Sequence, residues 1–159
     1  MNKLLLFVPP VIFLLVILSG CSNPVYDDFE NYINVEMREV SENYEKITTE
    51  AVRWAEFKED AQYITSIEAV ILPLVNDSIE RLENINPVTE DIQAIKARYV
   101  KVMDTYKEGF TLILDGFKEP DEDKMTAGID KITYGISLLS EYNTTLEEKA
   151  KELGAEIGY

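Results

Sequence analysis

Residues 106–136 read YKEGFTLILDGFKEPDEDKMTAGIDKITYGI, and their pattern decides the fold. Upstream of the break at Glu119-Pro120-Asp121, the apolar residues Tyr106, Phe110, Ile113 and Phe117 recur at alternating steps of four and three. Downstream, Met125, Ile129, Ile132 and Ile136 do the same. That period places each set on one face of a helix. Proline cannot continue the first helix. Asp121 can cap the second, and the acids that follow it suit a helix N-terminus. The stretch is therefore expected to form two amphipathic helices folded against each other.

The same period extends outward. Ile92, Ile95, Tyr99 and Val102 prolong the first stripe backward, while Leu139, Asn143, Leu146, Ala150, Leu153 and Ile157 prolong the second forward. Asn86-Pro87 is a second break, followed by a helix start at Thr89 with Glu90 and Asp91. Earlier still, Phe29, Ile33, Met37, Val40, Tyr44, Ile47, Ala51 and Trp54 form one stripe, and Ile64, Ile67, Ile71, Leu74, Ile79 and Leu82 another. Pro73 lies inside the latter and is expected to kink it. No glycine or proline separates these two stripes. A turn near Lys58–Ala61 is expected, because it yields four elements able to bury each other's stripes. The expected fold is all-α: an antiparallel up-down-up-down four-helix bundle over residues 26–159. A three-helix bundle with a long first helix is the alternative.

Gly109 and Gly116 in the third helix, and Gly128 and Gly135 in the fourth, are spaced one heptad apart. A turn centred on residue 122 pairs Gly109 with Gly135 and Gly116 with Gly128. Each helical glycine costs about 1 kcal/mol relative to alanine, so close backbone approach should compensate. These glycines also define a candidate groove for a ligand or partner helix. Asn143 falls on the apolar stripe, and the same pairing brings Tyr99, Tyr106 and Tyr142 near it. This set is either a candidate polar interior site or a buried amide that fixes helix register.

The chain holds 30 acidic and 15 basic residues, a net charge of −15, with no histidine and a single cysteine. The usual general base is therefore missing, one cysteine cannot build a zinc site, and no catalytic or metal-ligating set can be assigned. Such acidity opposes nucleic-acid binding, which depends on neutralising phosphates. Glu119, Asp121, Glu122 and Asp123 lack the spacing of a calcium loop. Asp27, Asp28 and Glu30 are explained by the dipole at the start of helix one.

The cysteine has its own context. Residues 1–21 read MNKLLLFVPPVIFLLVILSGC: a basic start, an apolar run over residues 4–18, then small residues. This is the layout of a secretory signal, and the run is shorter than the roughly 20 residues of a spanning helix. Leu18-Ser19-Gly20-Cys21 resembles the lipobox of bacterial lipoproteins. The resemblance implies cleavage after residue 20, a diacylglyceryl group on Cys21 as the only attached cofactor-like group, and a short linker over 21–25. It also implies anchorage at the extracytoplasmic face of the cell membrane. The mature part is similar in architecture to small helical lipoproteins of Gram-positive bacteria. The function expected is non-enzymatic: binding another envelope protein as scaffold, accessory subunit or inhibitor. The alternative is a small-ligand or metal-binding lipoprotein that uses a groove between helices three and four.

Overall fold

The structure is a computed structural model that describes residues 23–157. Cys21, the lipobox and the apolar run lie outside the described residues. Those described are helical, with no strand among them. Helix α1 (Pro24–Asn31) starts with the Asn23 side chain accepting from the Val25 amide and Pro24 in the first turn. Residues 24 and 25, expected in the linker, thus already belong to a helix. A wide π turn at Tyr32–Glu36 leads through Met37 into α2 (Arg38–Arg53). A short 3-10 turn at Trp54–Glu56 follows, and the chain becomes extended at Phe57 and Glu59.

Helix α3 (Asp60–Ser66) begins after this break, with the Gln62 side chain accepting from the Lys58 and Glu59 amides. The turn expected near Lys58–Ala61 thus falls slightly earlier. A second π turn, Ile67–Ile71, leads into α4 (Leu72–Asn84). The expected kink at Pro73 takes this form for a physical reason. Pro73 has no N–H to give the carbonyl one turn back, so the helix widens before it, and Leu72 donates to Ile67 instead.

Helices α5 (Glu90–Lys118) and α6 (Glu122–Leu153) are the longest elements. α5 is central: α6 packs along it, and α1, α3 and α4 also pack against it. α2 packs on α4. Beyond α5, the main neighbour of α6 is α1. Residues such as Tyr32, Val40, Ile67, Ile71, Val75, Ile92, Val102 and Met103 are fully buried. The core draws on residues 28–150, so the described stretch carries its own core. Trp54 ties three elements together: its indole N–H donates to Ser66 Oγ at 2.8 Å, and its ring meets Tyr63 and Phe110 edge-on.

The hairpin register differs from the expected one. Gly109 lies against Gly128 and Ile132, Gly116 against Met125, and Gly135 against Tyr106. The cause is the tightness of the turn. α5 ends at Lys118 and Asp121 already caps α6, accepting from the Lys124 amide at 3.0 Å. The Asp121 amide itself donates back to the Gly116 carbonyl. The turn is therefore centred before residue 122, and every cross-helix pair slips accordingly.

The phase of α6 differs too. Its buried line is Gly128, Gly135, Leu138, Tyr142, Leu146 and Ala150. α5 approaches where the glycines present no side chain: a Cβ on Gly128 would stand 2.7 Å from the Gly109 carbonyl oxygen. From Gly128 to Tyr142 the buried line runs one residue before the expected stripe, about 100° of helix, and the two lines merge at Leu146 and Ala150, which are buried as expected. Ile129 and Ile136 are consequently 58% and 56% exposed.

Candidate functional site

A partly enclosed cavity of about 350 Å³ lies among the π turn, α2, α5, α6 and the C-terminal residues. Its floor is the buried Met37, Tyr99, Tyr142 and Leu146, and its walls are the half-buried Ile33, Tyr44, Leu139 and Ile157. Ser41 and Asn143 are exposed at its mouth.

Each element brings its residue for a local reason. The Ile33–Met37–Tyr44 line is the apolar stripe of the first helical segments. Tyr99 sits on the stripe of α5, and Tyr142 on the glycine line of α6. At the far end, Gly154 takes the left-handed conformation with φ 69°, which a glycine adopts without strain. The Ala155 amide returns to the Ala150 carbonyl at 2.9 Å. This reversal carries Ile157 onto the cavity wall.

The tyrosines form a connected set. The Tyr32 and Tyr142 hydroxyls are 3.3 Å apart, and the Tyr99 and Tyr142 rings meet at a tilt with centroids 4.8 Å apart. Tyr44 stacks on Tyr106. Burial pushes the phenols of Tyr32, Tyr99, Tyr106 and Tyr142 well above their ordinary range, and their mutual proximity adds to the effect for Tyr99 and Tyr142. They therefore stay protonated at physiological pH and act as neutral hydrogen-bonding groups. Near Tyr32, the Oε2 atom of Glu36 is buried without a hydrogen-bond partner among the described residues.

Of the residues expected at a polar interior site, Tyr99 and Tyr142 line the cavity and Asn143 stands at its mouth. Asn143 is exposed and so is no buried register residue; the rotation of α6 carried it outward. Tyr106 is buried beside the cavity, where its ring fills the space a Gly135 side chain would need. The expected groove beside the glycines is occupied. A Cβ on any of Gly109, Gly116, Gly128 or Gly135 would meet the opposing helix within 3 Å. Sequence reasoning missed Tyr32 and Ser41, and it read Ile157 only as part of an apolar stripe. Ser41 lies one turn beyond Met37 but beside the stripe of helix one, so periodicity alone did not mark it.

A larger cleft, about 730 Å³, runs along α2 and α4 over Ala69, Val70, Pro73 and Leu74. It is an open inter-helix furrow with Glu42, Glu45, Lys46, Thr49 and the Glu50–Arg53 ion pair of α2 along one side. No group of three or more His, Cys, Asp or Glu among the described residues is placed to hold a metal ion. None of the described helices is long and apolar enough to cross a membrane.

Asp28 has a role that its position at a helix start did not reveal. Its carboxylate accepts from the Val88 amide at 3.0 Å, the Thr89 amide at 2.7 Å and the Thr89 hydroxyl at 2.6 Å. It thus staples α1 to the N-terminus of α5. Burial alone would raise its pKa, but the three hydrogen bonds outweigh that and hold it below the usual carboxylate value.

In comparisons with known proteins, no family model, no curated protein and no solved structure matches the chain.

Proposed function

We propose that the protein is a non-enzymatic lipoprotein, held by a diacylglyceryl group on Cys21 at the extracytoplasmic face of the cell membrane. In this reading α1–α2 and α3–α4 act as two interrupted rods that complete an up-down-up-down four-helix bundle with α5 and α6. The protein binds another envelope protein as scaffold, accessory subunit or inhibitor.

The observation that supports this reading best is the uncovered flank of α6. Met125, Ile129, Ile132 and Ile136 keep the heptad spacing of a helix–helix seam, yet Ile129 and Ile136 face solvent. Around that seam stand Thr126, Thr133, Ser137 and Ser140, with Glu122 at its N-terminal end and Asp130 and Lys131 at its edges. An apolar strip with charges only at its end and edges, on a chain of net charge −15, suits a partner helix with its own apolar stripe.

The test is photo-crosslinking in cells, with a benzophenone amino acid at Ile129 or Ile136 of the full chain. Position Val52, 74% exposed on another helix, is the control. A shared crosslinked protein at 129 and 136, lost at 52, is the expected result. A crosslink only to a second copy of the chain, or none, overturns the partner reading. Cys21→Ala should leave an uncleaved precursor or move the protein out of the membrane fraction. A processed chain that still sediments with membranes would sink the anchor.

A further inference from the structure

We propose that the tyrosine-floored cavity is a binding site for a small uncharged amphipathic molecule, an aliphatic or aromatic body carrying one hydroxyl or amide. Three observations meet here. First, the size fits. A dry cavity of about 150 Å³ accepts benzene, so 350 Å³ holds a body of roughly a dozen heavy atoms beside a water or two. That volume also lies in the range of ordinary ligand pockets, about 300–1,000 Å³.

Second, the lining excludes charge. None of the residues around the cavity is ionisable near neutral pH, on a chain where 28% of residues are charged. An ion placed against Met37, Leu139 and Leu146 would lose its water and find no counter-charge. Third, the polar groups converge. The Tyr99 and Tyr142 phenols at the floor, Tyr44 on the wall, and Ser41 and Asn143 at the mouth all line this one cavity. Phenols that remain protonated can both donate and accept, which suits a hydroxyl or amide and gives an anion no cationic partner. Protein interiors are otherwise close-packed. A space of this size next to a seam where two helix backbones touch is set by its own walls, Ile157 among them, and is not a consequence of loose packing.

On the last helix and tail this site runs from Leu139 to Ile157, beginning one turn past Ile136 and about 15 Å of helix beyond Ile129.

The probe is 1-decanol, added to the soluble chain beginning at Ser22, which retains the whole described core. Decanoate and decyltrimethylammonium serve as anionic and cationic controls. Thermal melting and methyl NMR are read together. The expected result is a rise of several degrees in Tm with decanol, with shifts confined to the methyls of Ile33, Met37, Leu139, Leu146 and Ile157. Decanoate should bind at least about tenfold more weakly, because its charge must be desolvated. Tyr99→Phe keeps the ring and should cut decanol affinity by about fivefold, the worth of one hydrogen bond. Leu139→Trp should fill the space and abolish the methyl shifts while leaving the helical circular dichroism intact. Ile129→Lys should leave decanol binding unchanged, which separates this site from the partner surface. The proposal is overturned if decanol produces no shift, if Leu139→Trp binds it as well as the wild type, or if either charged control binds as tightly.

Discussion

Replacing Asp28 with alanine should lower the stability of the protein by about 3 kcal/mol at neutral pH, since hydrogen bonds to a charged group contribute about 1.5–3 kcal/mol and the amides left behind are partly buried. Only 8% of Asp28 is exposed, and its three donors all come from the Val88-Thr89 turn. Without the carboxylate, the first turn of α5 loses a cap supplied from another element, and α1 loses its fixed point. The pH dependence follows from the direction of the pKa. Asp28 is held below the ordinary carboxylate value in the folded state. The folded state therefore binds its proton less readily than the unfolded chain. The stabilisation is fully present above the unfolded pKa and is lost as pH falls through the folded one. Urea melts of wild type and Asp28→Ala should differ by the full amount at pH 7 and converge as the pH is lowered through the depressed folded-state pKa of Asp28. An equal difference at neutral and at acid pH would mean that side-chain shape, not charge, does the stapling.

Gly128→Leu should cost about 3 kcal/mol or more, beyond the usual range for an overpacked site, because the obstacles are backbone. A Cβ there would stand 2.7 Å from the Gly109 oxygen, 2.9 Å from the Ile113 amide nitrogen and 2.6 Å from an Ile113 side-chain carbon. Two of these atoms belong to the α5 helix itself and cannot rotate away. Alanine at 128 should also destabilise, although it gains about 1 kcal/mol in helix propensity. Ala127→Leu is the comparison, since Ala127 is exposed on the same helix. It should change stability by no more than about 0.5 kcal/mol. Chemical denaturation of the three variants checks this. A neutral Gly128→Leu would mean that α6 can rotate on α5, and its outward isoleucines would then no longer be fixed at the surface.

The helices were legible because their signals are local. Asp121, Thr89 and the breaks at Pro87 and Pro120 act on the few residues around them, and the helices begin right after Thr89 and Asp121, although only Asp121 caps with its own side chain while the Thr89 hydroxyl donates to Asp28. The face of α6 was not legible from its apolar residues. Hydrophobicity favoured the line through Ile129 and Ile136, but the closest approach belongs to the line without side chains. Where glycine lets two backbones meet, the contact line follows the glycines, and the larger residues flank it. The register failed for a related reason. It depends on how many residues the turn uses, and moving the turn centre by little more than one residue shifts every pair. The cavity lay further out of reach. Tyr32 and Tyr142 are far apart in the chain, and nothing in either neighbourhood marks the other as its partner. The Asp28 staple spans 60 residues or more in the same way.

The three-residue link Glu119-Pro120-Asp121 also bears on the order in which the molecule assembles. α5 and α6 are joined by the shortest connection between long elements, so their contacts are local and cheap in loop entropy. The Asp28 staple closes a far longer loop, and its entropic cost must be met before it gives anything back. The hairpin should therefore form first, as a nucleus onto which the earlier segments close. Its glycine seam would belong to the transition state, and the staple would come after it. Gly128 variants should then slow folding, whereas Asp28→Ala should chiefly speed unfolding. Stopped-flow folding arms for these two variants would reveal the sequence of events.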